Sequence, residues 1–478
     1  MIPISFINDF RLCIPEIIIA SGILFLLLMG VFSRRKNSFH LVFFPILLLI
    51  AAFISLLIMP YEGIGLGGLY IADRFSTFVK YIILLSSIVI FVEMFRYIHL
   101  KPFSHFEFPV IILMAILGML CMTSANDMIS FYMALELQSL ALYVLIAMNR
   151  KNVLSIEAAL KYFVLGVFSS TFLLYGISFI YGFTGCTNFS QIATFFFAGQ
   201  QYFVLIVGVV LILVGLFFKM ALVPFHMWIP DVYQGSPMFV TSFLATVPKF
   251  VVTMALCRIT SVFWPILSDV LHIFMFVSIV SMVLGSVVAI QQHNLKRLMA
   301  YSAIGHAGYA LIGFSTGTFG IIAMIRYMVI YLIMTIGFFA CILSLRCKDR
   351  KNIKNISDLA GLSRQDVFLT SALTIFLFSL AGIPPFAGFF GKYFLLIAAV
   401  KKEFYALTII ALLSSVISAY YYLRMISILW FDPTTSGIII VARELKWVIS
   451  ACALFVVGYF LIENILYSWI TRMVVSLF

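Results

Sequence analysis

The stretch VLILVGLFFKMALVPFHMW, residues 210–228, holds one lysine and one proline inside an otherwise apolar run. An apolar run of this length predicts a membrane-spanning helix, because about 20 residues are needed to cross the hydrocarbon core. Lys219 lies near the middle of the run, and Pro224 follows it by five positions. Proline removes a backbone donor and clashes with the preceding turn. The stretch therefore predicts a broken membrane helix with a buried lysine beside the break.

Similar apolar runs fill the chain, whose 478 residues are 64% hydrophobic and 10% charged. A soluble domain is about 45–50% apolar and about 25% charged, so this composition indicates a membrane protein. We predict an all-α polytopic fold with about 14 transmembrane helices. The predicted spans are residues 12–32, 39–59, 75–95, 108–124, 127–147, 158–182, 202–230, 237–262, 267–290, 295–315, 318–344, 367–399, 404–430 and 446–470. A membrane β-barrel would need alternating polarity, which runs such as Ile17–Leu28 lack.

The chain shows no sign of a cleaved leader or of a bound cofactor. The first span begins with Pro15 and Glu16 and has no basic leader, so no signal peptide is predicted. Seven scattered cysteines form no CxxC pair, which argues against an iron–sulfur, zinc or disulfide framework. No glycine-rich nucleotide loop follows a predicted strand. We therefore expect no cofactor and no metal in this chain.

The net charge of +12 is distributed as a topology signal. Alternate loops collect the basic residues Arg34, Arg35, Lys36, Arg96, Lys101, Arg150, Lys151, Lys296, Arg297, Arg346, Lys348, Arg350, Lys351, Lys354, Arg443 and Lys446. The opposite loops are poorer, and residues 183–201 and 316–320 hold no charge. Cytoplasmic loops are the ones enriched in lysine and arginine. The pattern predicts a multi-pass protein of the bacterial inner membrane with both termini periplasmic, and no nucleic-acid partner.

Four charged residues stand deep inside predicted spans: Glu136, Lys219, Lys249 and Lys392. A charge at mid-bilayer costs about 2.5–3.5 kcal/mol on insertion scales, so it persists where it has a partner, a hydrated cavity or a task. Structural ion pairs or snorkelling side chains are the alternative. Three lysines and one glutamate in separate helices favour a proton-translocating path.

Helix breaks accompany two of these lysines. Lys392 follows the pair Pro384-Pro385 by seven positions, as Lys219 precedes Pro224 by five. Non-helical backbone at membrane depth persists only inside protein or along a water-filled path. A lysine beside such a break can exchange its proton with a hydrated cavity. Pairing with Glu136 would stabilise the charged form of Lys219, so the pair is expected to act as a switch.

The spacing of these residues predicts an internal duplication. Lys219 and Lys392 differ by 173 positions, and similar offsets lead from Glu136 to His306 (170) and from Lys249 to Tyr420 (171). Repeats with broken helices at matching positions are typical of transporter folds. The predicted domains are N-terminal helices at 1–106, a first repeat at 107–265, a second repeat at 266–431 and a C-terminal helix at 432–478.

Several other polar residues are weaker candidates. His226 and His306 suit proton relay, since the unperturbed pKa of histidine is about 6.5, and a packed, hydrogen-bonded histidine is an equal alternative. Lys161 follows Glu157 by four positions, which favours an intrahelical ion pair over a link between the two halves. Tyr420 enters through the repeat offset. Arg326 lies in a predicted span without an assigned role.

Longer motifs resemble one known family. The run WIPDVYQGSPMFVTSFLATVPKF (228–250), preceded by FFKMALVPFHM (217–227), is similar to subunit N of proton-pumping NADH–quinone oxidoreductase, the respiratory complex I. Further matching stretches are EAALKYFVLG (157–166), NLKRLMAYSAIGHAGY (294–309), SLAGIPPFAGFFGKYFLL (379–396) and ISAYYYLRMISILWF (417–431). The resemblance runs from residue 110 or so to residue 431.

The resemblance implies an antiporter-like fold with two inverted five-helix repeats and a proton channel driven by quinone reduction elsewhere in the complex. It implies that Glu136 is the carboxylate partner, Lys219 the switching lysine, Lys249 the connecting lysine and Lys392 the lysine of the second half-channel. It places NADH, FMN, iron–sulfur clusters and quinone in partner subunits. The implied neighbours are the antiporter-like subunit M, small subunits such as K, and lipid. Pro248 departs from the small residue expected before Lys249.

Two other functions remain open at this point. A multi-subunit cation/proton antiporter without a redox partner would share the lysines in broken helices, although the YQGSP stretch (233–237) argues against it. A structural membrane scaffold would require the buried charges to be dispensable.

Overall fold

The computed structural model describes residues 9–32, 38–58, 62–95, 106–197, 203–347, 353–433, 438–440 and 444–477. Most of the basic loop residues used to predict the orientation lie outside the described residues, namely Arg34, Arg35, Lys36, Arg96, Lys101, Lys348, Arg350, Lys351 and Arg443.

The described residues form a helical protein with four short strands. The helices are α1 (Ile14–Phe32), α2 (Ser38–Ile58), α3 (Arg74–Met94), α4 (Glu107–Ser124), α5 (Met128–Ala147), α6 (Val153–Thr184), α7 (Phe189–Phe197), α8 (Phe203–Met220), α9 (Ile229–Gly235), α10 (Met238–Ala245), α11 (Val247–Val262), α12 (Leu267–Ile290), α13 (Leu295–Ser315), α14 (Gly317–Leu343), α15 (Val367–Ala381), α16 (Ala387–Lys401), α17 (Tyr405–Trp430) and α18 (Leu445–Val475). Two antiparallel strand pairs join β1 (Gly63–Gly65) to β2 (Tyr70–Ala72) and β3 (Leu345–Cys347) to β4 (Ile438–Ile440).

Helices occupy every stretch that the sequence predicts to span the membrane. Within the described residues, 11 helical segments are long and apolar enough to cross a bilayer. The prediction of an all-α, multi-span membrane protein is therefore confirmed. The full count of fourteen spans remains a prediction.

The helix starts follow from polar caps. Asp73 accepts from the backbone N–H of Ser76 and completes a capping box at α3. Asp127 and Asn294 cap α5 and α13 in the same way. Such side chains satisfy the amides that a first helical turn leaves without partners. At the other end of α6, Gly185 adopts a φ of 69°, the left-handed conformation that closes many helices.

The chain forms two compact units. The first contains residues 1–219, 247–270 and 475–478, and the second contains 220–246 and 271–474. In the first unit α4 packs closely against α5. A Cβ on Gly118 would lie 2.7 Å from the backbone nitrogen of Gln138, so this approach requires glycine. Small residues at helix contacts are the usual way to bring membrane helices together.

In the second unit α14 lies among its neighbours and is almost wholly buried. It contacts α13, α15 and α16. The helix is mostly apolar, as expected for an element surrounded by other helices, with Arg326 as its charged residue.

Each unit contains a connection with the same hydrogen-bond pattern. Asp127 forms an isolated antiparallel bridge with Asn188 in the first unit, and Asn294 forms one with Asn355 in the second. The flanking backbone bonds are Met128 N to Thr187 O (2.9 Å) and Phe189 N to Asn126 O (3.0 Å), matched by Leu295 N to Lys354 O (2.9 Å) and Ile356 N to His293 O (3.0 Å). Each residue of the second bridge lies 167 positions after its counterpart in the first bridge.

The structure gives Arg326 a partner that the sequence did not indicate. Its Nη2 atom donates to Glu463 Oε1 at 2.8 Å, and its guanidinium lies 3.9 Å from the ring centroid of Phe394. Arg326 on α14 thus binds Glu463 of α18 while its guanidinium packs over Phe394 of α16. The pair anchors the last helix to the second unit.

We expect Glu463→Ala to destabilise this anchor by about 1.5–3 kcal/mol, because it leaves the buried guanidinium without its charged acceptor. The loss is measured as a lower midpoint of thermal unfolding in detergent. Lys446→Ala is the matched control. Its Nζ–Oδ2 distance to Asp366 is 3.5 Å and its side chain is 40% exposed, so a shift of similar size in the control would contradict the prediction.

Candidate functional site

Lys219 stands at the end of a broken helix. α8 ends at Met220, and α9 begins only at Ile229. Ala221, directly after the helix, has a φ of 61°, which is uncommon for a residue other than glycine. Pro224 lies in the gap and its peptide bond is cis. The predicted break is confirmed, and Lys219 is in the last turn of α8, where the helix dipole favours a positive charge.

The ammonium of Lys219 is buried and bonded to hydroxyl groups of α5. It donates to Ser139 Oγ at 2.6 Å and to Tyr143 OH at 3.2 Å. Glu136 precedes Ser139 by one helical turn, so the three α5 side chains share a face. Oε1 of Glu136 is buried and has no hydrogen-bond partner among the described residues. A carboxylate therefore stands one turn from the groups that hold the lysine.

This arrangement has the elements of a switch. The described residues show no direct ion pair between Lys219 and Glu136, since the lysine donates to Ser139 and Tyr143 instead. Hydroxyl groups both donate and accept, so they can pass a proton between a lysine and a carboxylate. The predicted pairing of Glu136 with Lys219 would need a movement of the lysine along the polar face of α5.

Lys249 follows a third break, which the sequence did not predict. α10 ends at Ala245, and Thr246 has a non-helical φ of −114° and ψ of −90°. α11 then begins at Val247 and places Lys249 in its buried first turn. Pro248 is the second residue of α11, a position where its missing N–H would have no helical partner anyway. Pro248 is therefore accommodated, and it was also the signal that could have located the break, because a proline often marks a helix start.

Lys392 lies against a helix break in the second unit. α15 ends at Ala381, and Gly382 follows with a φ of 85°. The Nζ of Lys392 donates to the carbonyls of Leu380 (3.1 Å) and Ala381 (2.9 Å). It also donates to Ser415 Oγ at 3.3 Å. The break predicted from Pro384 and Pro385 is confirmed.

The geometry explains why this lysine follows the prolines. The last carbonyls of a helix have no intrahelical partners and carry its negative dipole end. After the break, α16 returns past the end of α15 and brings Lys392 to those carbonyls. A Cβ on Gly388 would lie 1.8 Å from the carbonyl oxygen of Ser379, so only glycine permits this approach.

His306 belongs to a buried polar cluster in the second unit. Its Nδ1 bonds to Tyr327 OH, and its Nε2 lies 3.2 Å from Tyr422 OH. The hydroxyl of Tyr422 also bonds to Ser302. The ring of Tyr309, one turn from His306 on α13, has its centroid 5.1 Å from Lys392 Nζ. Tyr327 and Tyr422 were not found from the sequence, because aromatic residues in a span are usually packing residues.

Tyr420, the possible relay reached by the repeat offset from Lys249, is not the tyrosine that bonds His306. Tyr420 is 57% exposed, whereas Tyr421 and Tyr422 are buried. Tyr422 is the residue that reaches His306. The buried tyrosine was within two positions of the predicted one, but only the helix register could identify it.

The remaining candidates are Lys161 and His226. Lys161 forms an ion pair with Glu157 at 2.7 Å, with 45% and 52% of the two side chains exposed. The favoured prediction of an intrahelical pair is thus confirmed. His226 is half-buried in the gap between α8 and α9. Among the described residues no group of three or more histidine, cysteine, aspartate or glutamate side chains is arranged to hold a metal ion.

Comparisons with known proteins match this architecture. A family profile described as NADH:quinone oxidoreductase/Mrp antiporter, TM, matches residues 125–418, more than half of the chain. A chain of respiratory complex I from Thermus thermophilus with bound aureothin superposes with a TM-score of 0.82 at 30% identity, covering 95% of this chain and 98% of the other. A chain of the Mrp complex from Dietzia sp. DQ12-45-1b reaches a TM-score of 0.86 at 20% identity, covering 98% and 97%. The fold and the broken helices thus define a membrane chain of the NADH:quinone oxidoreductase/Mrp antiporter class.

Among curated proteins, NADH-quinone oxidoreductase subunit N 1 of Rhizobium meliloti (strain 1021) is 48% identical over 460 residues, which cover 96% of each chain. The chain belongs to the NADH-quinone oxidoreductase subunit N family. A second relative, NADH-quinone oxidoreductase subunit N of Bartonella bacilliformis (strain ATCC 35685 / KC583 / Herrer 020/F12,63), is 45% identical over 456 residues and is covered to 93%, with 94% of this chain aligned.

Proposed function

We propose that this chain carries protons across the bacterial inner membrane along an axis formed by Glu136, Lys219, Lys249 and Lys392. The chain is a proton-translocating membrane subunit of NADH–quinone oxidoreductase, as its family membership indicates. One observation supports the axis above the others. The buried lysines Lys219 and Lys392, one in each unit, both lie beside a helix break: Lys219 is in the last turn of α8 and donates to Ser139 of α5, and Lys392 donates to the carbonyl of Ala381 at the end of α15.

The electron-transfer chemistry belongs to other subunits in this proposal. NADH, FMN, iron–sulfur clusters and quinone are assigned to partner chains, and this chain contributes the proton path. Its proposed neighbours are an antiporter-like subunit M and small subunits such as K. Support comes from the structural likeness to a chain of respiratory complex I.

The proposed step at Lys219 follows from its surroundings. Approach to Glu136 forms an ion pair that stabilises the ammonium, and separation from the carboxylate favours release of a proton. When the lysine is separated from Glu136, its ammonium is hydrogen-bonded to Ser139 and Tyr143. The proton then passes along the axis, with Lys249 and the cluster of His306 as further carriers.

We also propose fourteen spans, with inverted repeats at 107–265 and 266–431 flanked by residues 1–106 and 432–478. The matched bridges of Asp127 with Asn188 and Asn294 with Asn355 support the duplication. Counted from these two caps, His306 takes the position of Ser139, because both follow their caps by twelve residues. The repeat therefore aligns His306 with Ser139, which accepts a hydrogen bond from Lys219 and lies one turn from Glu136.

The proposed orientation keeps both termini on the periplasmic side. It is supported by the distribution of basic residues, since the loops of one side hold Arg150, Lys151, Lys296 and Arg297 while 316–320 holds none.

The alternative is an antiporter subunit without a redox partner. The Mrp likeness at 20% identity shows the fold alone. The relatives at 48% and 45% identity are both named as subunits of NADH-quinone oxidoreductase. Identity over the whole chain therefore favours the redox-driven pump.

Affinity purification through a tag on this chain tests the proposal. We expect the purified complex to oxidise NADH with quinone and, in liposomes, to acidify the lumen or the medium in proportion to NADH consumed. Cation–proton exchange that runs without NADH, in a preparation lacking NADH oxidation, would establish the antiporter alternative instead.

A smaller effect is expected at the exposed pair on α6. Lys161→Gln removes an exposed i, i+4 ion pair, which contributes about 0.3–0.5 kcal/mol. Proton pumping by the reconstituted complex should therefore stay close to that of the unchanged protein. A severe loss of pumping with normal assembly would place Lys161 on the proton path.

A further inference from the structure

A second set of buried charges lies in the N-terminal helices, outside residues 125–418 that match the family profile. Lys80 on α3 is buried, with 3% of its side chain exposed, and its Nζ lies 2.6 Å from Oε1 of Glu16 on α1. The same Nζ donates to Tyr70 OH at 2.6 Å, and Tyr70 OH donates to the carbonyl of Leu12 at 3.1 Å. Glu16, Lys80 and Tyr70 thus form one buried group held by an ion pair and hydrogen bonds, here called the Lys80 cluster.

Polar residues extend from the Lys80 cluster along α3. Ser76, Lys80 and Ser87 lie within about 40° of one another around the helix axis. All three are buried. The hydroxyl of Ser87 has no hydrogen-bond partner among the described residues. The buried face of α3 therefore includes a polar stripe among its apolar residues.

The Lys80 cluster lies at about the depth of Lys249 in the same unit. α3 begins beside Asp73, and Asp73 Oδ1 and Oδ2 each accept from Arg258 Nη2 at 2.9 Å. Arg258 is near the end of α11, which packs against α3, so the two helices are antiparallel and both extend to the same side of this ion pair. Lys80 lies seven positions beyond Asp73 and Lys249 nine positions before Arg258, which are rises of about 10 Å and 14 Å.

The Lys80 cluster is joined through Tyr70 to the β1–β2 hairpin. Tyr70 is in β2, and the hairpin is tied to the loop before α5 through a bridge to Ala125 and a bond from Asn126 N to Leu69 O at 2.9 Å. The Lys80 cluster therefore stands between the depth of Lys249 and a polar loop region at the end of the unit.

We propose that the Lys80 cluster is a second proton-binding site, beside the axis, which exchanges protons with the membrane side that carries the β1–β2 hairpin. This inference rests on the proposed proton-pumping function. An incoming proton converts the Glu16 carboxylate to the carboxylic acid and breaks the ion pair, and the Lys80 ammonium remains as the net charge. Release of that proton from Glu16 re-forms the pair, so the cluster carries one proton per cycle.

A purely structural role is the competing explanation. Two apolar side chains hold membrane helices together at least as well as a buried ion pair, and a pair is destabilising mainly when one partner is removed alone. The hydroxyls of Tyr70 and Ser87 add proton donors and acceptors that an anchor does not need.

Among the described residues, Cys13 ahead of α1 and Cys121 on α4 lie near Glu16 and Lys80, and Asp9 lies near Cys13. Lys249 and Arg258 are the charged residues of α11, which packs against α3.

The test compares paired with single removal of the charges in the whole reconstituted complex. The double variant Glu16→Gln/Lys80→Met leaves no unpaired charge, so assembly and NADH oxidation in detergent should be retained. We expect proton pumping per NADH oxidised to fall at least about fivefold, as expected for loss of a positioned proton-transfer group. Normal pumping with an unchanged pH profile in the assembled double variant would overturn the proposal.

A second variant covers the case in which the double variant does not assemble. Tyr70→Phe keeps both charges and the ring, and removes only the hydroxyl between Lys80 and Leu12. We expect its pumping to show a shifted pH profile, and an unchanged profile would count against the proposal. Lys219→Ala, measured alongside, separates the two hypotheses. If Lys219→Ala still pumps, the proposed axis fails; if only the Lys80 variants pump normally, the Lys80 cluster alone is excluded.

Discussion

Lys219→Ala is expected to remove most of the proton pumping of the reconstituted complex, by about 100-fold or more, because it deletes a positioned proton donor and acceptor. The substitution takes away the ammonium that bonds Ser139 and Tyr143 and the partner proposed for Glu136. Pumping is measured as the lumenal pH change per NADH consumed.

Two controls make this result specific. Lys161→Gln also removes a membrane lysine, but one whose ion pair is exposed, and should pump nearly normally. Lys219→Arg retains a positive charge and hydrogen-bond donors but holds its proton too firmly to release it, since arginine is effectively always protonated. The Lys219→Arg complex is therefore expected to assemble but to pump slowly. Rapid pumping by the assembled Lys219→Ala complex would mean that protons bypass this residue.

The sequence was sufficient to predict the membrane fold and two of the helix breaks. Those features follow from local chemistry, since apolar length determines a span and proline interrupts a helix. The third break, at Thr246, was missed because hydropathy is continuous across 237–262 and Pro248 fits the first turn of α11. Span prediction measures polarity and length, whereas a break of one residue changes neither.

Side-chain partners were harder to predict than spans. Arg326 and Glu463 are 137 positions apart, so no local pattern connects them. Lys80 lies close to the start of α3, where a lysine is ordinarily taken to reach the membrane surface. Only the packing of α1 against the rest of the unit shows that Lys80 is buried and paired with Glu16. Whether a helix face is buried depends on the neighbouring helices, and the sequence periodicity of that helix does not identify them.

The second large effect is expected at Lys392. Lys392→Met keeps the length and apolar stem of the side chain but removes the donor to Leu380 O, Ala381 O and Ser415 Oγ. The carbonyls at the end of α15 then lose a charged partner, and the second unit loses its only proposed lysine carrier. We expect pumping to fall by about 100-fold, as for Lys219→Ala.

Comparison within α16 separates the proton role of Lys392 from its role as a helix cap. Lys401→Met removes a lysine from the last turn of the same helix, where it lies 4.1 Å from the ring centroid of Phe319, and should leave pumping nearly unchanged. Lys392→Arg can still donate to the carbonyls of the break, so it should restore assembly and thermal stability. It should not restore pumping, because the guanidinium does not release its proton. If Lys392→Arg pumps at the normal rate, the ammonium acts only as a cap, and proton transfer in the second unit must proceed through the cluster of His306, Tyr327 and Tyr422.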